Sequence, residues 1–195
     1  MKKNPRLILA SNSPRRKELL ASLGYEFTVR TIQGIDESFP TELKGTEVAA
    51  YIAHQKARAY EQVLVENEII ITADTVVCLG DEVLGKPKDA TEAVRMLTAL
   101  SGKEHKVHTA VCILSLGKRI EFVSSSTVRF KSLSTEEIQY YVEHYLPLDK
   151  AGAYGIQEWI GHIAVEHISG SYFNIMGLPT HDLYEHLSDM GILPY

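Results

Sequence analysis

The sequence predicts a mixed α/β protein, an elongated mixed sheet flanked by helices in a single domain over residues 1–195. Three observations carry this. Helix and strand periodicities alternate along the chain, Gly80-Asp81 separates two apolar runs as a two-residue hairpin turn does, and helices open on the capping signatures Asp89/Glu92 and Ser134/Glu137. With 195 residues and 45% hydrophobic side chains there is enough material for a core, and no repeat, low-complexity segment or linker divides it. Strand order is not readable from one sequence.

In order, "RLILA" (6–10) reads as a short buried strand. A helix follows from Pro14 to about Leu23, capped by Ser13 and stopped by Gly24. "YEFTVRTI" (25–32) reads as a strand and "GIDESFP" as a loop. A long helix begins near Thr46, with Thr46 as its cap and an apolar stripe at Ala49, Ile52, Ala53, Tyr60, Val63 and Leu64. "EIIITADTVVCL" and "EVLG" form the hairpin about Gly80-Asp81. The helix capped by Asp89 runs to Gly102. "HKVHTAVCILSL" and "RIEFVSSSTVRFKSL" are strands separated by Gly117-Lys118, and the helix capped by Ser134 reaches Tyr145. "PLDKAGAYGIQ" is a glycine-containing loop, "HIAVEHI" a further strand, "SGSYFNIMGLP" a loop, and a last helix starts near Thr180.

Several charged residues conflict with the elements that contain them. Arg15 and Arg16 occupy a first helical turn, where the helix dipole disfavours each cation by about 0.3–1 kcal/mol. Such a placement asks for an anion. Lys56 falls on the apolar stripe, four residues from both Ile52 and Tyr60; its amine either snorkels to water or points into a cleft. Asp74 interrupts a buried-looking strand. Counting outward from Gly80-Asp81 puts Thr75 opposite Lys86, one step from Asp74, so the acid is either ion-paired with Lys86 or serves as metal ligand or general base. Basic side chains at a helix start suit phosphate, and a triphosphate calls for a divalent cation, with oxygen ligands available from Asp74 and Glu37. No Walker or dinucleotide-binding glycine pattern is present.

A net charge of −5 argues against nucleic acid or an anionic membrane as the main partner, so any cationic site is local. The basic start and the short run "LILA" do not make a signal-peptide core, which predicts a cytoplasmic protein. Cys78 and Cys112 lie in apolar runs and read as buried, reduced thiols. His105 and His108 point to opposite strand faces, and no Cys/His cluster has zinc spacing.

The blocks "SNSPRRKELL", "IDES", "QKA", "ADTVV", "GKP", "LSGKEHKVHT", "DKAGAYGIQ" and "SYFNIMGLP", in this order, resemble the Maf-like nucleoside triphosphate pyrophosphatases from Leu7 to about Leu187. The resemblance implies two lobes around a central cleft, as in inosine triphosphatase-like folds, and commonly a homodimer. It implies hydrolysis of a nucleoside triphosphate to monophosphate and pyrophosphate, a metal-activated water attacking the α-phosphorus, with Mg2+ or Mn2+. On this chain Asp74, Glu37 and Lys86 match catalytic positions, and Asp74 with Glu37 the metal ligands. Ser11, Ser13, Arg15, Arg16, Lys56, Thr75 and Gln157 match substrate-binding positions. "GAYGIQ" is similar to the branch acting on dTTP and UTP, with Arg15, Thr75 and Gln157 linked to base preference. Where many members have glycine after that glutamine, this chain has "EWIGH". A rival reading is a non-catalytic nucleotide-binding regulator of septum formation; an unrelated phosphatase would instead release orthophosphate.

Overall fold

A near-continuous apolar run becomes the strand on which the sheet is organised. In the computed structural model, which describes residues 5–195, β3 (Glu68–Leu79) pairs antiparallel along one edge with β5 (Glu104–Ser115), from Ile70↔Leu114 to Cys78↔Lys106. Its other edge is shared. β1 (Arg6–Leu9) runs parallel to it as far as Leu9↔Ile71, and β4 (Glu82–Leu84) returns antiparallel from Leu79↔Glu82 to Val77↔Leu84. β2 (Phe27–Val29) lies parallel to β1, β6 (Lys118–Phe130) antiparallel to β5, and β7 (Val165–Ser169) antiparallel to β6. The sheet order is β2-β1-β3-β5-β6-β7, with β4 beside β3.

Helices cover both faces because β3 is apolar on both. On one face lies α2 (Thr46–Glu61). Its first half packs Val48, Ile52 and Ala53 on Val76, Cys78 and Ala110, and its second half packs Ala57 and Tyr60 on Ile8, Ile70 and Cys112. On the other face α1 (Pro14–Ser22) and α7 (Thr180–Asp189) set Leu19, Leu20, Leu183 and Leu187 against Leu9, Ile69 and Ile71. Further along that face, α3 (Ala90–Leu100), α4 (Thr135–Tyr145) and α5 (Trp159–Ala164) enclose Val77, Val107, Val128 and Phe130. Each fully buried Leu, Ile or Phe contributes about 1.5–3 kcal/mol, so these clusters hold the layers together. The stretch Thr72, Asp74 and Thr75 falls between clusters, which breaks the apolar packing on both faces at one point of β3.

The local signals act as their chemistry requires. Ser13 accepts from the Arg16 amide, Asp89 from the Glu92 amide, and the Ser134/Glu137 box is complete. Glu92 returns its bond to Lys88 N at 2.7 Å rather than to Asp89. Leu79 opposes Glu82 across Gly80-Asp81 as the register count requires. The second hairpin turns on Leu116-Gly117, one residue earlier than expected, because Ser115 pairs with Lys118.

Other boundaries differ. Gly45, with φ 51°, caps α2 instead of Thr46, and α2 ends at Glu61, so Val63 and Leu64 lie beyond it. The strand expected over 25–32 shortens to Phe27–Val29, since its partner β1 has only four residues. "HIA" closes α5, where Ile160 and Ala164 share one buried helical face, and only Val165–Ser169 is strand. "SGSYFNIMGLP" contains α6 (Tyr172–Met176), capped by Ser171 and closed by Gly177 at φ 113°. Cys78 and Cys112 are buried free thiols, and burial pushes Cys112 up to about 12. The basic residues Lys2 and Lys3 lie outside the described residues.

Two buried titratable groups make stability depend on acid. At the start of β3, Glu68 is 3% exposed and takes a bidentate pair from Arg30 at 2.8 and 3.2 Å and a contact from Arg6; these arginines hold its carboxyl at about 2, against an ordinary 4.5. His105 donates or accepts at Tyr154 Oη (2.8 Å) and stands edge-on to Phe130; burial pushes it down to about 4 from 6.5. Both folded values lie below the unfolded ones, so protons bind the unfolded chain first. Unfolding free energy measured by denaturant is expected to decline below pH 6.5 as pH approaches 4 through His105, and between 4.5 and 2 through Glu68. Glu68→Gln is expected to flatten the lower window alone.

Candidate functional site

Between Ile71, where β1 stops, and Val77, where β4 begins, that edge of β3 has no strand partner among the described residues. Unpaired strand groups need other partners. Arg16 supplies one of them: Nη1 donates to Ala73 O (2.9 Å), while Nη2 donates to Thr75 Oγ1 (3.1 Å) and Nε to Gly177 O (2.8 Å). Ser11 Oγ accepts from Ser13 N at 3.2 Å and lies 3.5 Å from Arg16 Nη1. Burial pulls the Arg16 guanidinium below its usual value, and the charge of Asp74 partly restores it. Arg16 thus braces α1, β3 and the turn after α6.

The open edge borders a cavity of about 630 Å³. Asp74 and Thr75 project from opposite faces of β3 and both line it, together with Ser11, Ser13, Arg15, Arg16, Glu37, Lys56, Lys86 and Gln157. The fold therefore gathers the whole set of expected site residues. Lys56 does not snorkel. Its side chain is 14% exposed, and Nζ sits 2.7 Å from Asp74 Oδ1 and 3.1 Å from Glu37 Oε1. The expected partner of Asp74, Lys86, is corrected: the β3–β4 ladder ends at Val77↔Leu84, and Lys86 lies exposed in the segment after β4 with no ion pair among the described residues. Arg15 reaches over the cavity to Asp149 Oδ2 at 3.1 Å.

Sequence reading passed over Lys150. This lysine is 8% exposed, lines the cavity, and its Nζ contacts Asp149 Oδ1 at 2.7 Å and Glu158 Oε1 at 3.1 Å. A cation set between an aspartate and a glycine-rich turn is the signal that could have found it. The turn lies close on β3: a Cβ at Gly152 (φ 68°) would meet Val77 at 3.0 Å, and Gly152 N donates to Gly85 O at 3.0 Å. It ends at Gln157, whose Oε1 is buried without a protein partner. Tyr141 Oη accepts from Gly155 N (3.0 Å) and contacts Glu158; burial, with the Glu158 contact second, raises its phenol well above the usual range.

This arrangement suits a polyphosphate. Arg15, Lys56, Lys86 and Lys150 surround the cavity, and cations with donors to spare match phosphate oxygens. Asp74 and Glu37 converge on one point, marked by Lys56 Nζ. Among the described residues no group of three His, Cys, Asp or Glu gathers at metal-binding distance. Two carboxylates nonetheless fit a Mg2+-type ion, which takes one or two from protein and completes its shell with phosphate oxygens and water.

Fold and site together define an α/β protein with a cleft, lined by several cationic side chains, at an interrupted sheet edge. The chain belongs to the Maf-like protein family, whose model matches residues 6–190. It is 53% identical over 184 residues to a dTTP/UTP pyrophosphatase of Bacteroides thetaiotaomicron, covering 94% of this chain and 95% of that protein. It is 52% identical over 185 residues to a dTTP/UTP pyrophosphatase of Phocaeicola vulgatus, covering 95% and 96%. Among solved structures it is similar to the Staphylococcus aureus Ham1 protein, with a TM-score of 0.50 at 15% identity over 93% of this chain and 99% of that one, a likeness of fold.

The segment "EWIGH" is built on a backbone contact. A Cβ at Gly161 would stand 1.8 Å from Ile156 O, next to Gln157. Gly161→Ala is therefore expected to destabilise by about 1–3 kcal/mol. At Gly85 nothing lies within 4 Å of a new Cβ. Gly85→Ala is expected to stay within about 0.5 kcal/mol in the same thermal melts.

Proposed function

We propose that this chain hydrolyses dTTP and UTP to the monophosphate and pyrophosphate. The observation that carries the reading is the Lys56 ammonium held between Asp74 and Glu37, at 2.7 and 3.1 Å, in a cavity that Arg15, Lys86 and Lys150 also line. The names of two relatives that are 53% and 52% identical support the choice of nucleotide.

Hydrolysis at the α-phosphorus needs a proton acceptor for the attacking water and positive charge for the departing pyrophosphate. Asp74, anchored on the central strand, takes the proton, and Lys56 orients its carboxylate. Arg15, Lys86 and Lys150 offset the charge that gathers on the leaving group. Ser11 and Ser13 shape the loop before α1, and Arg16 keeps that loop fixed to β3. Asp74 and Glu37 would hold a divalent cation, Mg2+ or Mn2+, which when bound supplies Lewis-acid polarisation of the phosphoryl group. The proposal takes the enzyme as a cytoplasmic homodimer, a state that sedimentation checks.

Asp74→Asn keeps the side-chain shape but not the charge. It is expected to fold and to lose about 10²- to 10⁴-fold in kcat/KM for dTTP, measured as pyrophosphate release. Wild-type turnover in this variant would remove Asp74 from the role of base. In heavy-oxygen water the label is expected on the monophosphate; label in pyrophosphate would place attack at the β-phosphorus. Release of orthophosphate alone, or no turnover with any triphosphate in Mg2+, would set the proposal aside.

A further inference from the structure

We infer that Thr109, which does not line the cavity, fixes the hydrogen-bond polarity of Thr75, so that Thr75 can only accept from a ligand and thereby selects a nucleobase carrying a ring N–H. The inference deepens the dTTP/UTP reading and rests on it.

The polarity follows from what each group can give. Thr109 Oγ1 lies 2.9 Å from Asn174 O, a carbonyl that only accepts, so the single Thr109 proton is committed there. Thr75 Oγ1 lies 3.0 Å from Thr109 Oγ1, so in that bond Thr75 must be the donor. Arg16 Nη2, which only donates, occupies one Thr75 lone pair at 3.1 Å. One lone pair is left. Thr75 lines the cavity with no proton to offer.

The far end of this chain is held firmly. Asn174 is fully buried, and its Nδ2 donates to Val107 O (3.1 Å) and Ser126 Oγ (2.9 Å). Thr109 is also fully buried, so no water competes for its hydroxyl. None of the side chains Thr75, Thr109 and Asn174 titrates, and the direction of the chain is set by covalent chemistry alone.

Uracil and thymine present N3–H beside the O4 carbonyl, whereas cytosine presents a bare N3 beside an amino group. An acceptor-only Thr75 bonds to the first and opposes the second. Gln157 Oε1 is itself buried, which leaves the amide nitrogen as the end that a base carbonyl can reach. On the imide edge Thr75 then meets the ring N–H and Gln157 the carbonyl. Thr109 is a positioning residue for that reading.

The test is kcat/KM for UTP and CTP by pyrophosphate release, in wild type, Thr109→Ser and Thr109→Val. Wild type is expected to favour UTP, and Thr109→Ser, which keeps the hydroxyl, to hold the UTP:CTP ratio within about twofold. Thr109→Val frees the Thr75 proton for the ligand and is expected to lower the ratio about tenfold, chiefly by gain on CTP, the size of one net hydrogen bond. A valine variant with the wild-type ratio, or a serine variant that shifts as far as valine, overturns the inference. If Thr109→Val does not fold, Thr75→Val decides: UTP is expected to lose about tenfold with CTP unchanged. Equal losses on both nucleotides would show a Thr75 that also donates, and overturn it. A wild-type enzyme active on both bases without preference overturns the inference alone. Absence of pyrophosphate from any nucleotide overturns the dTTP/UTP reading and the inference with it.

Discussion

A strand inside a protein must give every backbone amide and carbonyl a partner, and the central strand here is paired by two others that approach one edge from opposite ends. β1 leaves it at Ile71 and β4 joins it at Val77, so roughly 20 Å of strand edge, at about 3.3 Å per residue, lacks a ladder. The same gap opens the cavity, and one guanidinium bridges it. Arg16 occupies Ala73 O, Thr75 Oγ1 and Gly177 O at once, a geometry that a lysine, with a point charge, could not reproduce.

The two arginines at the start of α1 thus have different answers to the same unfavourable helix dipole. For Arg16 the compensation comes from carbonyls and a hydroxyl on other elements, and charged hydrogen bonds of about 1.5–3 kcal/mol outweigh a dipole penalty below about 1 kcal/mol. For Arg15 it comes from Asp149, on the loop that also carries Lys150. The net charge of −5 coexists with a cationic cleft because the positive groups are concentrated where β3 is interrupted.

The elements were legible wherever a local rule sets them. The Ser134/Glu137 box, the Gly80-Asp81 turn and the cap at Ser13 depend on residues within a few positions of one another, and these formed as expected. "HIAVEHI" did not, since its first three residues are drawn into α5 by the burial of Ile160 and Ala164 against a distant cluster. At the site, the anomalous charges Asp74 and Lys56 were visible as conflicts with their surroundings. Their pairing with each other was not, because the contact joins a helix to a strand on a different element. Lys150 escaped notice because a lysine in a loop violates no rule; its place between Asp149 and the glycine-rich turn hints at a role, and its burial against Glu158 marks it. The direction of the Thr109 chain was equally invisible, since it needs Asn174, 65 residues away, to be in contact.

The two carboxylates that face Lys56 stand on unequal foundations. Asp74 belongs to a strand still laddered to β5 on its far edge, so its amide can exchange only when the sheet opens, near the free energy of global unfolding. Glu37 sits in an exposed stretch held by its own contact with Lys56, the packing of Ile35 and Leu43, the Ser38–Asp36 turn and a surface pair between Lys44 and Asp81. Backbone exposed in this way opens at a lower free energy than a core strand. One half of the carboxylate pair is therefore fixed from within the central ladder, and the other is presented to it from the surface, so a change in the exposed stretch alters their spacing without touching a bond of that ladder.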